Sequence, residues 1–255
     1  MEFVDTHTHL TDEAFAGSVD AAVERAVAAG VTRMLQADTG TEGREAMFAL
    51  CERHPGISFP MLGLYPGHVD ANWREEVDAM HAWRSRGPVA IGEIGLEYHY
   101  GPDTAELQKE ALLAQLELAR DWNLPVNIHL RDATEDWFAV MDKCRGMGLR
   151  GNLHCFSASA EVFWRMQRYG EWYVGIGGVL TFKNARIATD ILRIPLNRIL
   201  LETDAPYMAP VPLRGTRNES SYIPYIAAKL ASIKGITIEE VAAATTSNAQ
   251  KLFAI

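Results

Sequence analysis

The sequence predicts an α/β chain folded as a single (β/α)8 TIM barrel over residues 1–255. Three observations predict it. Eight short apolar, β-rich runs recur at Phe3–Thr6, Thr32–Gln36, Ser58–Leu64, Val89–Gly92, Pro125–Ile128, Gly151–Leu153, Trp172–Ile176 and Ile199–Leu201. Helical patterns separate them, which implies parallel pairing through right-handed crossovers. The length of 255 residues is ordinary for one such barrel, and no repeat, low-complexity stretch or Pro/Gly/Ser-rich linker divides the chain. The rival, an open doubly wound sheet, would carry a glycine-rich phosphate loop after its first strand, and none is present.

The intervening helices carry their own signals. Phe15, Val19, Val23 and Val27 fall four apart ahead of Gly30, a stop residue. Asn72 and Glu75 are positioned to cap the third helix. Asp103-Thr104-Ala105-Glu106 opens the fourth with the spacing of a capping box, and Leu112, Leu116 and Ala119 line one of its faces. Thr237-Ile238-Glu239-Glu240 opens the last helix in the same way.

Composition narrows the function classes. The chain is 48% hydrophobic and 22% charged, which excludes a disordered or fibrous protein. No apolar run approaches the roughly 20 residues that span a bilayer. Met1-Glu2-Phe3-Val4-Asp5 lacks the basic end and apolar middle of a secretory leader, and neither end carries a lipidation signal. Cys51, Cys144 and Cys155 are odd in number and widely spaced, so a disulfide framework is not expected and a cytoplasmic location is. The formal charge of −9 argues against broad capture of duplex DNA. It leaves room for a nucleic-acid substrate held by metal ions and a local basic rim. No obligate protein partner is evident.

In such barrels functional residues stand at the C-terminal ends of the strands. There the chain places Asp5-Thr6-His7-Thr8-His9, Glu93, His129, His154 and Glu202-Thr203-Asp204. Strand residues alternate faces, so Asp5, His7 and His9 are expected on one face, with both imidazoles able to reach one cation. A lone strand-end histidine is usually a satisfied polar residue. Four of them with two carboxylates on one rim form a metal-binding set. Six donors exceed the four of a structural zinc site, but suit two divalent ions about 3.5–4 Å apart sharing a carboxylate. Glu93 is the natural bridge. His7, His9 and Asp204 would serve one ion, His129 and His154 the other, and Asp204 would accept a proton from the attacking water. Imidazole and carboxylate together suit zinc, manganese or magnesium. Asp5 is expected to orient a histidine from behind, and Glu202 to do likewise or to touch substrate. Cys155 is expected to point to the opposite strand face as packing.

These motifs resemble the TatD-type metal-dependent hydrolases, a branch of the amidohydrolase-like barrels. The resemblance runs from Asp5-Thr6-His7-Thr8-His9 through Ile91-Gly92-Glu93-Ile94-Gly95-Leu96, Leu124-Pro125-Val126-Asn127-Ile128-His129-Leu130-Arg131-Asp132-Ala133 and His154-Cys155-Phe156-Ser157 to Glu202-Thr203-Asp204-Ala205-Pro206-Tyr207 and Arg217-Asn218-Glu219. It implies a (β/α)8 barrel, a divalent-metal site and, for many relatives, nuclease activity that trims DNA, often from the 3′ end. Carried over residue by residue, it implies the ligands His7, His9, Glu93, His129, His154 and Asp204. The chain departs from the family pattern at three places. Tyr65 stands at the first His of a Gly-x-His-Pro-His-like run that here ends in His68. Glu97 replaces an Asp, and Ser220 follows Arg217-Asn218-Glu219 where relatives carry Pro.

Substrate contacts are expected from the same loops. Arg131, two residues past a ligand, can clamp a phosphate, with Arg217 a second candidate. Tyr65, His68, Phe156 and Tyr207 are candidates for base stacking or contact, as are Tyr98 and Tyr100. Arg214 and Lys183 read as solvated loop charges. The expected activity is 3′–5′ exodeoxyribonuclease-like hydrolysis of single-stranded ends. The alternatives are a small-molecule amidohydrolase or lactonase, a tRNA-linked ester hydrolase, and a non-catalytic metal-binding barrel, which an incomplete donor set would indicate.

Overall fold

The computed structural model describes residues 1–255. It is the predicted barrel: strands β1 (Phe3–Thr8), β2 (Val31–Gln36), β3 (Ser58–Leu62), β4 (Ala90–Glu97), β5 (Val126–Arg131), β6 (Arg150–Leu153), β7 (Glu171–Ile176) and β8 (Ile199–Leu201) lie parallel in sequence order. The sheet curls until its ends meet. Thr8 bridges to Ala205 beyond β8, the His9 N–H donates to the Ala205 carbonyl at 2.8 Å, and the Asp204 N–H donates to the His7 carbonyl at 2.9 Å. These bonds carry His7, His9 and Asp204 to one seam.

Around the sheet run α1 (Val19–Ala28), α2 (Thr41–Arg53), α3 (Trp73–Ala79), α4 (Ala105–Trp122), α5 (Thr134–Lys143), α6 (Ala160–Met166), the short α7 (Ile187–Asp190), α8 (Ile223–Lys234) and α9 (Ile238–Phe253). None of them is long and apolar enough to cross a membrane. In α1, Val23 is buried but Val27 is 41% exposed. At 3.6 residues per turn, steps of four precess by about 40° each, so the series drifts off the buried stripe. The capping box of α9 forms, with Thr237 Oγ1 accepting the Glu240 N–H at 3.2 Å and Glu240 Oε2 accepting the Thr237 N–H at 2.8 Å. The box expected at α4 does not: Thr104 Oγ1 donates back to the Gly101 carbonyl at 3.2 Å instead.

The apolar interior has two parts. A large cluster fills the layer between sheet and helices, and includes Trp137, Phe138 and Phe163. A smaller one joins strand residues Val4, Leu35, Met61 and Leu200 to Ala249, Leu252 and Phe253 of α9. Thr246 and Asn248 bond to the carbonyls of Glu2, Leu196 and Ile199, where the chain enters β1 and β8. Helix α9 thus closes the floor of the barrel and leaves the opposite mouth as the open end. Cys51 and Cys144 are buried free thiols, as expected of core positions.

Candidate metal centre

The structure brings all six predicted donors together at the mouth. His7 Nε2 and His9 Nε2 lie 3.0 Å apart. Each faces Glu93 Oε2 and Asp204 Oδ1, at 3.6 Å from His7 and 3.5 Å from His9. The donor atoms of His7, His9 and Asp204 all lie within 4.8 Å of one another, close enough to serve one cation, and so do those of His7, Glu93 and His154. A second group adjoins these. His129 Nδ1 and His154 Nε2 are 3.1 Å apart, and each lies 2.9 Å from Glu93 Oε1. The two oxygens of Glu93 therefore face the two groups separately.

The proton inventory shows that lone pairs converge here. Asn127 donates through Nδ2 to Asn152 Oδ1 at 3.2 Å, so its Oδ1 accepts from His7 Nδ1 at 2.8 Å. That leaves His7 Nε2 as an acceptor. Glu97 Oε2 accepts from His129 Nε2 at 2.9 Å, which leaves His129 Nδ1 as an acceptor too. Unprotonated nitrogens packed among carboxylate oxygens repel one another unless a cation or a proton lies between them. Without a cation, protons take that role. Burial pulls the His9 imidazole down, but the Asp204 and Glu93 carboxylates outweigh it and push it up to about 9. Burial raises Glu93, but His154, His129 and His7 together hold it well below the usual carboxylate range. Burial, reinforced by the His7 ring stacked at 3.9 Å, takes His154 down to about 4. The residues thus fit divalent cations by donor type, spacing and orientation.

Several sequence expectations fail near this site. Asp5 does not hold an imidazole. The β1 pairing shifts register between Asp5 and Thr8, and the Asp5 carboxylate accepts the His7 N–H at 3.3 Å and the Thr203 N–H and hydroxyl at 2.9 and 2.6 Å. It ties backbones together behind the centre, while Asn127, two residues before His129, takes the role of orienting His7. Cys155 does not point away. Its φ of +46° breaks the strand alternation after His154, so the thiol lines the mouth with its Sγ 4.0 Å from Met208 Sδ. Glu202 does not line the cavity, so of its two expected roles the structure leaves the one behind a histidine, here His154. It is fully buried against Gly175, accepts the Cys155 N–H, and stands 3.9 Å from His154 Nδ1.

The mouth opens into a cavity of about 880 Å³. Of the expected substrate contacts, Tyr65, His68, Tyr100, Arg131 and Tyr207 line it, whereas Tyr98 lies outside and donates its hydroxyl to Asp136 at 2.8 Å. Tyr65 stands edge-on to His129 with ring centroids 5.1 Å apart, and Tyr207 donates its hydroxyl to Asp12 at 3.0 Å. Arg131 lies 4.8 Å from the Tyr100 ring centroid and pairs with no carboxylate. Two expectations are corrected. Phe156 is only 5% exposed and packs in the core. Arg217 is occupied elsewhere, donating to the Ala14 carbonyl, Ser18 Oγ and Glu219 Oε1 at 2.7, 3.1 and 2.6 Å over the Phe15 ring. Glu219 also binds Arg25, so this network staples α1 to the loop after β8. Ser220 is buried beside Asp5, away from the cavity.

Fold and donor set define a class of protein, the metal-dependent hydrolases built on an eight-stranded barrel. A family model described as TatD related DNase matches residues 4–254, and the chain belongs to that family. It is 36% identical to YabD of Bacillus subtilis (strain 168), described as an uncharacterized metal-dependent hydrolase, over 98% of both chains. It is 35% identical to the 3′-5′ ssDNA/RNA exonuclease TatD of Enterobacter lignolyticus (strain SCF1), again over 98% of both. The crystal structure of YjjV, a TatD homolog from Escherichia coli K12, superposes with a TM-score of 0.89 at 29% identity, covering 99% of this chain and 98% of that one.

Proposed function

We propose that this metal-dependent hydrolase cleaves phosphodiester bonds at the 3′ ends of single-stranded nucleic acid with a pair of divalent ions. The observation that carries the reading is the shared carboxylate: Glu93 turns one oxygen to His7 and His9, which also face Asp204, and the other to His129 and His154. These six side chains would hold two ions of zinc, manganese or magnesium. When bound, such ions polarise a phosphate and lower the pKa of water.

The chain's own residues supply the rest. Asp204 would accept the proton of the attacking water. Arg131 would hold a non-bridging phosphate oxygen through its N–H fork, steadied by the Tyr100 ring. Tyr65 and Tyr207 offer faces to the terminal bases. Arg131 is the one arginine or lysine among the cavity-lining residues, which suits the end of a single strand better than the many phosphates of a duplex. The name of the Enterobacter relative agrees with this reading.

The test follows degradation of 5′-labelled and 3′-labelled oligonucleotides by protein loaded with each metal, beside ester, lactone and phosphotriester panels. Stepwise shortening from the 3′ end, abolished by a chelator, is the expected result. Arg131→Ala should reduce kcat/KM on the oligonucleotide by about 10- to 100-fold, the worth of a hydrogen bond to a charged group. Turnover of lactones with intact oligonucleotides would overturn the reading.

A further inference from the structure

One imidazole of the centre is turned differently from the others. His7, His9 and His154 direct Nε2 at the carboxylates, whereas His129 directs Nδ1. The cause is on the far side of the ring, where Glu97 Oε2 accepts from His129 Nε2 at 2.9 Å. Glu97 is 1% exposed and fixed from several directions. Its Oε1 accepts the N–H groups of His99 and Tyr100 at 2.7 and 3.0 Å. Its backbone N–H donates to Gln108 Oε1 at 2.7 Å, and its carbonyl accepts from Gln108 Nε2 at 3.1 Å. Gly95, paired with His129 across β4 and β5, allows the close approach: a Cβ there would lie 1.8 Å from the His129 carbonyl oxygen. Glu97 is also where this chain departs from the Asp of the family pattern.

We propose that Glu97 is a positioning residue that selects the ligating nitrogen of His129 and thereby sets the metal affinity of the His129–His154 half of the centre; this rests on the two-ion reading above. A carboxylate accepting from the outer nitrogen locks the tautomer, fixes the ring plane and makes the inner nitrogen a stronger donor. The outer partner of His7 is the neutral Asn127 amide, so the two halves differ in the charge that backs their imidazoles.

The test needs no turnover. Metal-free protein is titrated with zinc against a chromophoric chelator, and histidine-labelled protein is examined by 15N NMR in the zinc-loaded state. Wild type should bind two zinc ions, with His129 ligating through Nδ1 and carrying its proton on Nε2. Glu97→Ala should weaken one of the two ions by about 10- to 100-fold, leave the other unchanged and mix the His129 tautomers. Glu97→Gln retains an acceptor oxygen for the local N–H groups and guards against misfolding. Its NH2 then faces His129 Nε2, so it should shift His129 away from the Nε2-protonated tautomer and weaken the same ion. Both variants binding two ions as wild type does, with an unaltered His129 signal, would overturn this inference alone. A wild-type protein that takes up no zinc would overturn the metal reading and this inference with it.

Discussion

The mouth and the floor of this barrel are built on opposite principles. At the mouth, imidazole nitrogens and carboxylate oxygens from five strands and the loops that follow them each stand within 3.6 Å of a neighbour, largely buried. At the floor, Val4, Leu35, Met61 and Leu200 meet Leu252 and Phe253 of α9 in an apolar cluster, with Glu171, Arg198 and Lys251 pairing at its edge. Burial of apolar area favours folding at about 25 cal/mol per Å², whereas converging acceptors cost free energy until a cation relieves them. The floor therefore stabilises the barrel, and the mouth draws on that stability to stay poised for its ions.

The most severe break in this division comes from removing a mouth donor. Asp204→Ala or His129→Ala should reduce turnover by about 10³-fold or more if, as proposed, each side chain holds an ion. The same substitutions should leave the metal-free barrel folded, because the apolar floor is untouched, with a modest fall in melting temperature for Asp204→Ala, which removes a carboxylate that holds His9 protonated. Full activity in metal-replete Asp204→Ala would refute its role. A collapse of the metal-free fold would refute the comparison.

The floor should respond in the opposite sense. Leu252 is 3% exposed, and Leu252→Ala should cost about 2–5 kcal/mol of unfolding free energy, read from denaturant titration. The activity per folded molecule should be unchanged. A fall in kcat at wild-type stability would show that floor packing reaches the mouth.

The two regions were also unequally legible. The convergence of the six side chains was legible because residue type and strand position together locate a side chain at a barrel mouth, although β4 runs on past Glu93 to Glu97. What lay beyond was direction. Asp5 and Cys155 violate strand alternation through a register shift and a left-handed residue, neither of which has a mark in the pattern. Arg217 and Phe156 sit in the right loops but turn to Glu219 and the core. Asn127 and Glu97, which orient His7 and His129, look like ordinary strand polars. The readable signal was their place two residues from His129 and four from Glu93. The floor carried the plainer mark, the Thr237–Glu240 capping box that starts α9.

The smallest effect tests how α9 is held to the barrel. Glu171 of β7 accepts from Lys251 of α9 at 2.6 Å, from Arg198 at 2.6 Å and from the Tyr173 hydroxyl at 3.1 Å. Lys251 first, then Arg198, lowers its carboxyl from 4.5 to about 2. An acid whose folded pKa lies below its unfolded value adds stability above the unfolded value and loses it as pH falls toward the folded one. The contribution should therefore be complete above pH 4.5 and fade between 4.5 and about 2. The side chain is 34% exposed, so solvent screening limits it to about 1 kcal/mol. Denaturant titrations at pH 7 and pH 3 should show wild type ahead of Glu171→Gln at the higher pH and the gap narrowing at the lower. A gap of equal size at both would mean that the ion pairs do not clamp α9, leaving apolar contact alone to seal the floor.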